Sequence, residues 1–242
     1  MRPTLPAVAA LTLSTHASAA FVGWAAYTRT ELGSSTVFVD VFATFDGAAD
    51  RALNVFNGNI GASGATFLQA GSIGKKAWAP QAGQSAGERD SFMTVGGLLV
   101  GGEYYASSAT GGDPSFTGTA GAWNPTILST PSTTIPANAG WFASDPFGTD
   151  NVAVDLDAAV GGEWQSRTAQ FGVWVAHFAF DAASVAPGAT VTFNAKVGYK
   201  TGTGPGGSIV AADARTFMIP APGAIALLGA AGLVGARVRM RG

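Results

Sequence analysis

Gly83-Gln84-Ser85-Ala86-Gly87 fits the spacing G-x-S-x-G. In a nucleophile elbow that pattern lifts a serine hydroxyl onto a sharp strand-to-helix turn, where a histidine takes its proton. His177 lies downstream, with Asp150, Asp155 and Asp157 in between, so the order serine, acid, histidine is present. The flanks do not support the turn. Lys75-Lys76-Ala77-Trp78-Ala79-Pro80 precedes the serine and is no core strand. Glu88-Arg89-Asp90 follows it with no apolar helical period. Five-residue patterns of small residues also recur by chance in glycine-rich and serine-rich sequence. The pentapeptide therefore reads as loop, and no catalysis is expected.

The other chemistry-bearing residues are few. There are two histidines and no cysteine, and His16 lies in the N-terminal leader described below. A zinc site of the histidine/cysteine type is thereby excluded. His177 sits in an apolar strand and reads as a buried, hydrogen-bonded side chain. The glutamates are Glu31, Glu88, Glu103 and Glu163, and nothing pairs two of them across a cleft as glycoside hydrolysis requires. Calcium is the one metal with candidate ligands. It takes six to eight oxygens, and Asp145, Asp150 and Asn151 supply part of such a set, although their spacing is not that of an EF-hand. No other cofactor is expected.

A third group is aromatic. Residues 70–151 are irregular and hold Trp78, Tyr104, Tyr105, Phe116, Trp123, Trp141, Phe142 and Phe147 among glycine, serine, proline and asparagine. Loops of this kind either pack over a sheet or present a binding surface. On the second reading Tyr104, Tyr105, Trp123 and Trp141 would stack on the rings of an extracellular polysaccharide. On the first they supply apolar area to the core.

The elements that would carry these residues read as strands. Residues 36–45 (TVFVDVFATF) alternate: Val37, Val39, Val41, Ala43 and Phe45 share one face, and Phe38, Asp40, Phe42 and Thr44 the other. Asp46-Gly47 turns the chain. Residues 52–56 form a short strand before Asn57-Gly58, a hairpin signal. Residues 170–181 (QFGVWVAHFAFD) are apolar on both faces, which predicts a central strand. Pro187-Gly188 turns into residues 190–200, where Val191, Phe193, Ala195, Val197 and Tyr199 share a face. Residues 202–207 are a loop, and residues 214–219 the last strand. No amphipathic helix interrupts them. The pattern predicts an all-β domain over residues 21–218, an antiparallel β-sandwich of jelly-roll-like form.

Both ends of the chain are addresses. Met1-Arg2, the apolar run 5–13 (LPAVAALTL) and Ala17-Ser18-Ala19 follow the three-part plan of a secretory signal peptide. Residues 1–20 are assigned to it, with cleavage by signal peptidase after Ala19 or Ala20, so that the mature chain starts near Phe21. At the other end Ile219-Pro220-Ala221-Pro222-Gly223 leads into AIALLGAAGLVGA and then Arg237, Arg239 and Arg241. Residues 219–236 would make a helix of about 27 Å, barely enough to cross a hydrocarbon core of about 30 Å. The arginines would stay on the cytoplasmic side.

This tail, residues 219–242, resembles the PEP-CTERM sorting signal of Gram-negative bacteria, in which a Pro-Glu-Pro motif, a short transmembrane helix and an arginine cluster follow one another. Here alanine stands in place of the glutamate. The resemblance implies recognition by an exosortase, a brief stay in the membrane, and delivery to the cell surface or extracellular matrix. It implies nothing about activity.

Composition agrees with export of a folded domain. Hydrophobic residues make up 47% of the 242, and only 12% are charged, about half the usual share. That excludes intrinsic disorder. Without Arg2, Arg237, Arg239 and Arg241, nine of the 13 basic residues face 15 acidic ones, a net charge of −6. A nucleic-acid partner is therefore not expected. The expectation is an exported, tail-sorted structural protein. A polysaccharide-binding module is the alternative, and a surface hydrolase is the least favoured reading.

Overall fold

The computed structural model describes residues 20–30, 35–69, 78–80, 84–107, 109–113, 133–202 and 207–221. Among them the fold is all-β, with two single turns of 3₁₀-helix and no α-helix. One sheet is built on three long strands, β1 (Phe21–Thr30), β2 (Thr36–Phe45) and β11 (Phe171–Asp181). Short strands complete it: β10 (Glu163–Gln165) beside β1, and β4 (Phe92–Met93) and β9 (Val154–Asp155) beside β11. The second sheet runs β13 (Ile209–Met218), β12 (Thr190–Lys200), β3 (Arg51–Ser63), β8 (Ala139–Ala143) and β7 (Thr110–Gly112). Strands β5 (Gly97–Val100) and β6 (Glu103–Ala106) form a separate hairpin. Its turn is Gly101-Gly102, at φ 62° and 89°, the positive values that a two-residue hairpin turn requires. All of these ladders are antiparallel.

The alternation read from β2 has a direct physical result. Val37, Val39, Val41, Ala43 and Phe45 join one buried cluster with Val191, Phe193, Ala195, Val197 and Tyr199 of β12 in the other sheet. This shared core makes the two sheets sandwich-like. Trp141 of β8 stitches them together, because its indole N–H donates to the carbonyls of Thr94 at 2.9 Å and Val175 at 3.0 Å. Trp24 of β1 does the same at one edge, donating from its ring to the Asp213 carbonyl at 2.9 Å.

The opposite face of β2 is covered as well. All ten of its residues are buried. A second cluster holds Tyr27, Phe42, Phe92, Tyr104, Leu156 and Trp174. It forms an extra layer over the first sheet, drawn from the irregular stretches between strands. A bulge in β11, between Trp174 and Ala176, switches which residues face which layer. Val173 before it, Val175 within it, and Ala176, Phe178 and Phe180 after it all reach the shared core.

Strands β2, β11 and β12 lie where the alternation places them, and the central position of β11 is borne out. Three details differ. Residues 21–30 form a strand that the pattern did not reveal, because both of its faces are largely buried and alternation is lost. The last strand starts at Ile209, five residues before the expected Ala214. Asn57-Gly58 is no hairpin turn. Strand β3 runs on through it to Ser63, and the two residues form a bulge between Asn194 and Lys196 of β12. Asn57 takes the left-handed conformation, φ 51°, that such a bulge needs. A Cβ on Gly58 would lie 3.0 Å from the Ala139 carbonyl, so close packing against β8 also favours glycine.

Residues 1–19, and the tail from Pro222 through Gly223 to Arg237, Arg239 and Arg241, lie outside the described residues. Among those described, no helix is long and apolar enough to cross a membrane.

The bulge yields a test. Asn57→Val puts a β-branched residue at positive φ and should cost about 1–2 kcal/mol, lowering the urea midpoint, whereas Asn57→Gly should match the parent. A valine variant as stable as the parent would show that the left-handed bulge is dispensable.

Candidate functional site

Ionisable groups converge in the layer outside β2. Asp40 and His177 face each other from adjacent strands, and both are fully buried. His177 Nδ1 lies 2.6 Å from Asp40 Oδ1, and Nε2 lies 3.2 Å from the Glu88 carbonyl. A carbonyl only accepts, so the Nε2 contact needs a hydrogen on that nitrogen. Arg29 Nε approaches the other Asp40 oxygen at 3.5 Å, and its Nη2 donates to the Ala86 carbonyl. Phe38 lies against both side chains: its ring stacks on His177 at 5.3 Å, and the Arg29 guanidinium sits 4.6 Å above it. The signal for this network was present in the sequence. Asp40 and His177 are the single ionisable residues within the interiors of two otherwise apolar strands.

The Ser85 arrangement does not assemble. The Ser85 hydroxyl oxygen accepts the Gly87 N–H at 3.2 Å, and the residue bridges to Tyr105. His177 takes its carboxylate from Asp40, which precedes the serine in the chain. The three later carboxylates go elsewhere. Asp150 accepts from the Ser107 hydroxyl at 2.9 Å, Asp155 from the Asp157 N–H at 2.9 Å, and Asp157 from Arg167 at 2.6 Å.

The four proposed stacking aromatics separate. Trp141 is 1% exposed and lies between the sheets, so it offers no face to a sugar. Tyr104 is 3% exposed, with its ring against Phe42 and Trp174. These two assignments to an open stacking surface are corrected: their large apolar area goes into the core. Tyr105 is half-buried, and its hydroxyl donates to Glu103 at 3.4 Å. Trp123 lies outside the described residues.

Asp145, Asp150 and Asn151 do come together, lining one hollow of about 310 Å³. Asn151 is buried; its amide donates to the Ala52 carbonyl at 3.0 Å, and its own oxygen has no partner. The supply of further oxygens is poor. Arg51 donates to the Gly148 carbonyl at 3.2 Å and approaches that of Pro146 at 3.5 Å, which places a positive charge among the carbonyls a calcium ion would use. Among the described residues no group of three or more histidine, cysteine, aspartate or glutamate side chains is gathered for a metal.

A smaller hollow of about 230 Å³ opens beside the buried charges, lined by Tyr27, Arg29, Glu103 and Tyr104. Burial pushes the pKa of both tyrosines up, so each hydroxyl keeps its proton and remains a donor.

No family profile matches the chain, and no curated protein or solved structure is significantly similar to it.

Removing the central carboxylate should unfold this layer first. Asp40→Ala leaves the fully buried His177 and the partly buried Arg29 without their shared acceptor and should cost about 3 kcal/mol in chemical denaturation. Ser85→Ala should leave stability within about half a kcal/mol of the parent, and a fluorophosphonate probe should not label Ser85. Specific labelling of that serine would overturn the loop reading.

Proposed function

We propose that this chain is an exported structural β-protein, sorted to the cell surface or extracellular matrix through its Pro-Ala-Pro tail, and that it carries out no catalysis. One observation supports this most directly: the folded unit occupies the stretch that the two terminal addresses leave between them. Strand β1 begins at Phe21, next to the expected signal-peptide cleavage. At the other end Ile219 is the last core side chain among the described residues, 2% exposed, and its N–H donates to the Ala189 carbonyl at 2.9 Å. Pro220 and Ala221 follow at once, where the resemblance puts the sorting motif.

We read the sandwich as jelly-roll-like. Strands β2 and β11 pair in one sheet, and their successors β3 and β12 pair in the other, as in a two-stranded ribbon folded over a core. Burial of the aromatics favours a structural role over an open polysaccharide-binding face. On this reading the partners are signal peptidase, an exosortase, and the membrane until the tail is processed.

Each part of the tail has its own task. The arginines orient the short helix and stop its transfer. The prolines hold the backbone extended ahead of it, a shape suited to a protease. Replacing Arg237, Arg239 and Arg241 should give a secreted or misoriented chain. Replacing Pro220 and Pro222 with alanine should leave insertion intact and let uncut precursor accumulate in the membrane. Cell fractionation with intact-mass analysis in an exosortase-bearing host checks both. A proline variant cut and displayed like the parent would reduce the tail to a plain anchor.

A further inference from the structure

We propose that β13 is a self-pairing edge: two copies of this chain join β13 to β13 antiparallel, about a two-fold axis at Ala214, and fuse their five-stranded sheets into one. β13 ends its sheet, with β12 as its hydrogen-bonded neighbour. The direction of its backbone groups is fixed by two observations. Just beyond the strand, the Ile219 N–H donates to the Ala189 carbonyl at 2.9 Å, on the β12 side. Met218 turns both of its groups away from β12, and the Gln165 side chain meets them at 2.7 and 2.8 Å. The even-numbered residues from 210 to 218 therefore present N–H and C=O outward. The Ala214 N–H goes to its own Asp213 carboxylate at 2.9 Å. The outward groups of Val210, Ala212 and Thr216, and the Ala214 carbonyl, have no partner among the described residues. Such a row is a template for another strand. No lysine, proline or bulge guards it, and its register with β12 is unbroken. Seven large hydrophobic side chains stand exposed among the described residues, and three of them, Ile209, Val210 and Met218, are on this one strand.

The charges identify the occupant as a second copy. An edge strand's charges normally bar pairing; these two select a register. Outward groups must meet outward groups, so each even residue pairs with an even residue. An axis at 213 would set Asp213 against Asp213 of the second copy, and an axis at 215 would set Arg215 against Arg215. Like charges directly opposite repel. An axis at Ala214 sets Asp213 opposite Arg215 twice. It also sets Val210 opposite Met218, so the exposed apolar ends cover each other. Axes at 212 or 216 give neither match. The bonding can change hands without loss. Arg215 reaches Asp213 through Nε alone, at 2.8 Å, and is 45% exposed, so its remaining N–H groups can meet the second carboxylate. The Ala214 N–H passes to the Ala214 carbonyl of the second copy, and this releases Asp213 Oδ1 for that guanidinium. Asp213 Oδ2 stays on the Trp24 N–H at 3.1 Å, so β13 keeps its hold on β1. Gln165 closes the ladder at Met218 and leaves residues 212–216 as its centre. The pairing involves neither terminal address.

The chain has no cysteine, so single introduced cysteines report the geometry. Ala212, Ala214 and Thr216 are exposed and share a face. Full-length variants in detergent are oxidised and separated on a non-reducing gel. Ala214→Cys should link to itself, because opposed residues of this pair lie about 5.5 Å apart at Cα and a disulfide spans up to about 7 Å. Ala212→Cys and Thr216→Cys should each stay single alone, since each lies about 13 Å along the ladder from its own copy. Mixed together, those two should link. Thr192→Cys, exposed on the same face of β12, lies at least three strand spacings from its copy, about 14 Å, and should not link. Association through the apolar tail would not select this pattern. In the Ala214→Cys chain, Arg215→Asp turns two opposite-charge pairs into like-charge ones and should cut linkage about tenfold, whereas Arg215→Lys should retain it. Should Arg215→Asp melt well below the parent, the cysteine pattern decides alone. No link at Ala214→Cys, self-linking of Ala212→Cys to the same extent, or full linkage in a stable Arg215→Asp variant would overturn the proposal.

Discussion

Strand β2 is buried on both faces, and much of the structure is a consequence of that. A sheet strand with one wet face would need a single partner layer. Here Val37, Val39 and Val41 demand the second sheet, and Phe38 and Phe42 demand another cover on the far side. Among the described residues the cover is not a further long-stranded sheet. Short strands, the β5–β6 hairpin and 3₁₀ turns take the place of one. Asp40 sits within this doubly covered strand, so its charge has to be answered inside the protein. His177 from β11 and Arg29 from β1 supply the answer, one from each neighbouring strand. Such a network contributes little net stability against an apolar alternative. What it does supply is a defined placement of the covering layer, since the Glu88 and Ala86 carbonyls of that layer accept from the same two side chains.

The sequence disclosed what depends on period and little of what depends on register. β12 was legible because one of its faces is wet: Thr192, Asn194 and Lys196 are exposed, and Val191, Phe193 and Ala195 are buried. β1 was not, because a strand covered on both sides shows no alternation. Asn57-Gly58 misled for a related reason. The pair favours positive φ wherever it stands, and whether the chain turns or bulges there is decided by β8 and β12, which are far away in sequence. At the site level, Asp145, Asp150 and Asn151 line one hollow because they are near one another in the chain. The hollow of Tyr27, Arg29 and Tyr104 was not visible, because it joins β1 to a hairpin some seventy residues later.

Burial also settles how the aromatic content should be understood. An irregular stretch dense in tryptophan and tyrosine suggests an exposed adhesive face. In this protein Trp78, Tyr104 and Trp141 point inward, and their polar ends mark how well each fits. The Trp141 N–H has two carbonyl acceptors, so its place between the sheets is fully satisfied. The Tyr104 hydroxyl has none. Two buried aromatics from the same stretch of chain therefore differ in kind: one has its polar end satisfied between the sheets, and the other buries its hydroxyl without a partner.

The absence of cysteine bears on how a domain of this kind holds together. Outside the cell, disulfides are the usual reinforcement for small folds whose cores are insufficient. This domain is large enough to rely on burial, and its construction shows how. Low charge and abundant small residues let backbones approach closely: Gly96 lies so near Asp150 that a Cβ there would overlap its carbonyl. Close approach lets a covering layer without long strands still seal the outer face of β2. Glycine elsewhere weakens a fold by enlarging the entropy of the unfolded chain. At this position that loss is offset by the apolar surface that tight packing removes from water. A glycine-rich, weakly charged sequence and a doubly covered sheet are in this sense one solution, with the composition allowing the packing and the packing stabilising the composition.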